Sequence, residues 1–270
     1  MKPQNPENDT IEFRNDMETL KELKRKNPYP TIHDVDSELT SALYTPEKGI
    51  KWDDVGSVVV NLDSIKILKV LEPIWDRNAE IYAITMVNDD LTFENKSEEN
   101  PTNVHSFGIF DKVKKNDTIN LKNYPIYTYK CAEKGVTPEQ LVCKFLIMES
   151  DQKDREIGDI LEHIREREEY KRAVDILRKY PKPEVSMITI VTDLVFSAIT
   201  KALETNKDDQ VMLSYDGFHK WINKLGFGRH RDRNRNAILN YSIHLPPYYI
   251  VKAMEQNDIP IIGKDKKYHK

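Results

Sequence analysis

Six short segments in succession carry the period of two that marks strands, and a single block with the period of a helix interrupts the series. The six are residues 64–72, 79–87, 104–110, 117–121, 125–131 and 140–149, all β-branched or aromatic and separated by Pro, Asn, Asp and Gly. Two more follow late, at 210–215 and 237–245. In the last, Leu239, Tyr241, Ile243 and Leu245 alternate with Ile238, Asn240, Ser242 and His244, so one face is expected in a core and the other in water. Residues 248–254 read as a ninth strand or a short terminal helix. This order predicts a mainly β chain with a helical insertion: an antiparallel β-sandwich of about eight strands.

The insertion spans 154–206. Ile157, Ile160, Leu161 and Ile164 recur at helical spacing, and the spacing restarts at Tyr170, Ala173, Val174 and Leu177 after a slip that predicts a bend. A second helix, Glu184 to Glu204, is apolar almost all round and is expected to be buried on several sides, although its β-branched start, Ile188-Thr189-Ile190-Val191-Thr192, reads equally as a strand. Residues 1–57 form an N-terminal arm rich in Asn, Pro and charge, partly disordered or ordered by a partner, with one helical candidate from Ile11 to Lys26. The sandwich is then built from 58–153 and completed, with a basic tail, by 207–270.

A chain of 270 residues can bury a large core. Charged residues make up 32% of it, yet the net charge is −4, so anionic recognition has to be a local patch. The N-terminus lacks an apolar signal segment, and the most apolar run, 185–200, is broken by Asp193 and too short to span a bilayer. Two cysteines, Cys131 and Cys143, make neither a disulfide framework nor a four-ligand zinc site. They flank a Lys134–Pro138 turn symmetrically and could face each other across a hairpin. A cytoplasmic protein is expected, and the Lys-, Asn- and Ile-rich composition points to an AT-rich bacterial or phage genome.

Residues 144–158 join an apolar strand to a loop carrying Glu149, Asp151, Asp154 and Glu156, and close on Ile157-Gly158. With Glu80-Ile81-Tyr82 after the 76–80 loop, and Glu149-x-Asp151 before Ile157-Gly158, the chain resembles the C-two domain, the calcium- and phospholipid-binding β-sandwich, over about residues 60–160. The resemblance implies a metal set of Glu80, Glu149 and Asp151 and docking on a membrane surface. Arg155 stands where that family has a third aspartate and would supply the neutralising charge itself. The plainer reading makes Ser150, Asp151 and Asp154 the capped start of the following helix.

The second feature is Arg229-His230-Arg231-Asp232-Arg233-Asn234-Arg235, with Lys220 and Trp221 upstream. Four arginines at alternate positions point one way if the backbone is extended, a comb suited to phosphates or carboxylates. A solvated loop whose arginines pair with nearby acids is the plain alternative. An enzymatic reading is a magnesium-dependent nuclease, with Asp151-x-Lys153 after an apolar strand and Asp89 or Asp90 as the upstream carboxylate. His230-Arg231-Asp232 lacks the other parts of a kinase site, Gly226-x-Gly228 is no dinucleotide fingerprint, and the seven histidines lack ligand spacing. The expected function is therefore a non-catalytic interaction or assembly module. Its partner would be a protein, a second copy of the chain or an anionic surface, with no cofactor unless calcium or magnesium serves the alternatives.

Overall fold

A computed structural model describes residues 6–26, 50–71, 79–91, 103–150, 162, 166–180, 185–205, 208–249 and 251. Among the described residues eight strands form two four-stranded antiparallel sheets. They are β1 (Ser57–Ile67), β2 (Ala79–Asp89), β3 (Val104–Val113), β4 (Thr118–Lys130), β5 (Gln140–Glu149), β6 (Asp209–His219), β7 (Gly228–Arg233) and β8 (Ala237–His244). One sheet has the order β4-β1-β8-β7, the other β3-β2-β5-β6. The expected mainly β sandwich with inserted helices is the observed architecture.

The helices add a third layer. α1 (Pro6–Lys26), α2 (Glu168–Arg178) and α3 (Val185–Thr205) cover the outer face of the β2–β5 sheet. Leu20 and Leu23 of α1, Tyr170 and Val174 of α2, and Val191, Val195 and Phe196 of α3 share one apolar cluster with Tyr82, Ile84, Leu146 and Met148 of the sheet. The opposite face of that sheet, with Ile81, Ala83, Phe145 and Ile147, packs on Val60, Leu62, Ile65, Leu239 and Tyr241 of the other sheet. β2 and β5 are thus buried on both faces, which is why they read as continuous apolar runs. Among the described residues no helix is long and apolar enough to cross a membrane.

Local chemistry explains where the elements differ from the sequence expectations. β1 runs from Ser57 to Ile67, not from Ser64, because its register shifts between Leu62 and Ser64. The shift lets Val58, Val60 and Leu62 face the core together with Ile65 and Ile67, although the residue parity changes. The candidates at 117–121 and 125–131 are one strand, β4, bulged at Lys122 and Asn123, both left-handed at φ 54° and 57°. Pro125 is tolerated because β4 lies at a sheet edge. Of the C-terminal candidate at 248–254, Tyr248, Tyr249 and Val251 are helical, and the remaining positions lie outside the described residues. A bend at Arg167 stands where the helical phase slips.

The turn at Lys134–Pro138 is no hairpin. It carries the chain from β4 in one sheet to β5 in the other, so Cys131 and Cys143 are buried free thiols and not cross-strand partners. Burial raises both pKa values, that of Cys131 to about 11 and that of Cys143 well above the ordinary thiol range, which leaves neither poised as a nucleophile.

Candidate interaction surface

β7 has no β-branched residue, and its sequence GRHRDR owes its strand conformation to what its alternate side chains reach inside. His230 stacks on Tyr241 at 4.7 Å and 14° and meets Phe218 at 4.9 Å, while its Nε2–H donates to the Gly226 carbonyl at 2.5 Å. Asp232 accepts a hydrogen bond from the Ser214 hydroxyl of β6, and Asp216 of β6 accepts one from the Tyr241 hydroxyl. Burial together with the neighbouring Asp216 charge pushes the Asp232 pKa up to about 6. After the strand, Asn234 donates to the Val211 carbonyl at 3.0 Å and accepts from the backbone of Asn236 and Ala237, closing the turn into β8.

With these residues held inward, Arg229, Arg231 and Arg233 are exposed on the other side of β7, and Arg235 is exposed in the following turn. Residues two apart on one strand face lie about 6.8 Å apart, so the three form an evenly spaced row. β7 is the edge of its sheet among the described residues. Asp63 of β1, bonded by the Ser242 hydroxyl at 3.0 Å, lies within electrostatic reach of Arg229 and His244.

The chain enters β7 through an unusual turn. Lys224, Leu225 and Gly226 are all left-handed, at φ 56°, 53° and 68°, an expensive conformation for the first two, offset where Leu225 inserts into the inter-sheet core. A Cβ on Gly226 would stand 2.6 Å from the Phe218 ring, so glycine is required there. Just upstream, the short helix α4 (Lys220–Asn223) is capped by His219, which accepts from the Trp221 N–H at 3.2 Å.

Lys220 corrects an expectation: it does not join the arginines as a surface cation. It is 9% exposed, and its ammonium sits 5.0 Å from the Trp52 ring and 5.1 Å from the Trp221 ring, where the negative ring faces compensate for lost water. Trp221 itself is 65% exposed, beside Ile222 at 82%, and packs edge-on against Trp52 at 6.2 Å. Trp52 opens the turn Trp52–Asp54, whose Asp54, with Lys51, rims a cavity of about 260 Å³ walled by Val55, Phe227, Leu245 and Pro247. Phe227 leads directly into Gly228 and Arg229, so the aromatic end, the apolar cavity and the arginine row follow one another around the molecule.

The alternative sites fare differently. Asp151, Lys153 and Arg155 lie outside the described residues, as do Asp154 and, apart from Glu162, the helix expected at 157–164. Glu80 and Glu149 come to the same end of the β2–β5 pair, where Ser150 N–H donates to the Glu80 carbonyl. Their side chains leave opposite faces of the sheet, because Glu149 follows the parity of Ile147 and Glu80 that of Tyr82. Glu149 accepts the backbone N–H of Leu71 at 2.8 Å. A shared cation between the two is therefore not what this geometry offers. Asp90 accepts two backbone N–H groups, from Glu139 and Gln140, at the other end of the pair, roughly 30 Å from Glu149 and Ser150. It cannot act together with a group that follows Ser150 directly. Among the described residues no group of three His, Cys, Asp or Glu side chains is arranged to hold a metal ion.

Sequence reasoning singled out the arginines and passed over the residues between them. Asp216, Asp232 and Tyr241 join the two sheets at one edge, and Asp89 with Tyr127, whose hydroxyl it accepts, joins them nearer the other. The available signal was an acid on the core-facing parity of a strand, Asp216 two residues after Ser214 and four after Met212. The chain matches no protein-family model, no curated protein and no solved structure.

Proposed function

We propose that the chain is a non-catalytic interaction or assembly module that engages an anionic partner through Arg229, Arg231, Arg233 and Arg235, beside the exposed Trp221. The observation that carries this reading is the outward row on β7: three arginines exposed in register on a strand whose intervening residues are all anchored inside. The C-two resemblance enters as a proposal about scaffold, supported by two four-stranded antiparallel sheets and not by the acidic side chains, since Glu80 and Glu149 face apart. Two buried free cysteines support a reducing compartment, the cytoplasm.

Replacing the four arginines with serine tests the reading. Their exposure predicts an unchanged fold, read by circular dichroism, and affinity purification from the native source should lose the partner at a salt concentration the native chain withstands. Recovery of the same partners with the same salt dependence would reduce the row to a solvated edge. Incubation of the pure protein with DNA and magnesium is the companion experiment: cleavage that disappears in Asp151→Ala would replace the module with a nuclease.

A further inference from the structure

We infer that β7 is a docking edge for an extended acidic segment of a partner protein, which adds to the β4-β1-β8-β7 sheet as a fifth strand. The inference rests on the reading of the arginine row as a contact surface and specifies how that contact is made. Among the described residues β7 is the terminal strand of its sheet, and an edge strand can pair its backbone with another chain. The strand cannot roll to hide its arginines, because His230 is stacked on Tyr241 and Asp232 is bonded to Ser214 on the inner side.

An added strand repeats every two residues, as β7 does, so acidic side chains at alternate positions would each fall opposite one arginine. Opposite charges directly across a strand pair stabilise it and like charges destabilise it. A second copy of β7 would set arginine against arginine, so the same row that admits an acidic strand rejects self-pairing. Past the Gly228 end, the cavity walled by Val55, Phe227, Leu245 and Pro247 can take an apolar side chain of the same segment.

Single-stranded nucleic acid fits less well. Its binders interleave cations with stacking rings, whereas the outward positions of β7 hold arginines only and the exposed ring of Trp221 lies beyond one end. The chain is also net −4, with Asp63 close to Arg229, and sets up no broad positive field for a polyanion.

The test uses the full chain and four probes in fluorescence anisotropy: a labelled peptide of alternating glutamate and threonine, two copies N-methylated at its odd or its even backbone nitrogens, and a dT oligonucleotide of equal charge. The parent peptide should bind saturably, and one of the two methylated copies should bind at least about tenfold more weakly, because only one set of nitrogens faces β7. Peptide binding should slow amide exchange at residues 228–233 and be lost in the Arg229→Ser, Arg231→Ser, Arg233→Ser variant. Equal binding of both methylated copies, or preference for the oligonucleotide, would overturn strand addition while leaving the anionic-partner reading standing. Failure of all four probes to bind would overturn strand addition and withdraw that reading's charge basis too.

Discussion

Asp232 and Asp216 approach each other from opposite sheets, with Ser214, Tyr241 and Cys143 around them and His230 stacked on Tyr241. Burial, with the Asp216 charge beside it, raises the Asp232 pKa from 3.8 to about 6. A raised carboxyl pKa means that the protonated form is the one the fold prefers. Its contribution is complete below pH 3.8 and is lost as pH rises through about 6. Asp232→Asn keeps a permanent donor toward Asp216, so it should flatten the decline in stability between pH 4.5 and 7.5. At pH 7.5 the variant should be the more stable by about 1–2 kcal/mol, measured by urea unfolding across that range. A parallel pH profile for the two proteins would show that Asp232 does not carry the pH dependence. The arginines of β7 were legible from spacing alone, but the pair beneath them was not, because its two members lie 16 residues apart on different sheets and only the packing brings them together.

At the scale of elements, α3 is fastened to β5 through polar groups set in an apolar interface. Lys144 is 3% exposed, and its ammonium meets the Asp193 carboxylate at 2.5 Å while lying 5.4 Å from the Phe196 ring and 4.9 Å from that of Tyr215. Nearby, the Asn88 side chain of β2 donates to the Thr192 hydroxyl at 3.0 Å. Apolar contacts alone would let α3 slide along the sheet, whereas these two points fix its position. Lys144→Met takes the ammonium away from Asp193 in a largely dry interface and should cost about 3 kcal/mol in denaturant unfolding. Lys144→Met combined with Asp193→Leu should recover most of that loss, and a double variant no better than the single one would show that the pair does more than satisfy itself. Helix α3 covers the segment where a helix was expected, and its β-branched start at 188–192, which also read as a strand, is helical because α3 packs its apolar residues on the β2–β5 sheet. β7 was not recognisable as a strand, since Gly, Arg, His and Asp favour loops and its conformation comes from Tyr241, Ser214 and β8.

For the whole molecule, the arrangement is three layers in which one sheet is covered on both sides and the other faces outward with its arginine edge. The N-terminal helix belongs to the covering layer. Leu20 is fully buried against it, with Leu23 and Met17 beside it, and Asp16 accepts from the Tyr180 hydroxyl at 3.0 Å. Leu20→Ala should therefore lower global stability by about 2–4 kcal/mol, read by thermal or urea unfolding of the full chain. A change below about 0.5 kcal/mol would mean that the helix is a detachable tether. The sequence by itself determined the class of fold, because alternation, helical spacing and glycine or proline breaks are local properties of neighbouring residues, but not the faces of every strand: Ile238 and Ser242, on the β8 face expected in water, are buried. It also marked the arginine row. Only the tertiary structure decided that Glu80 and Glu149 part to opposite faces, that Lys220 is sealed between two indoles, that Cys131 and Cys143 belong to different sheets, and that β7 is an edge. Each depends on which strands pair and in what register, and pairing is settled by the burial of the whole apolar set at once and not by any segment's own sequence.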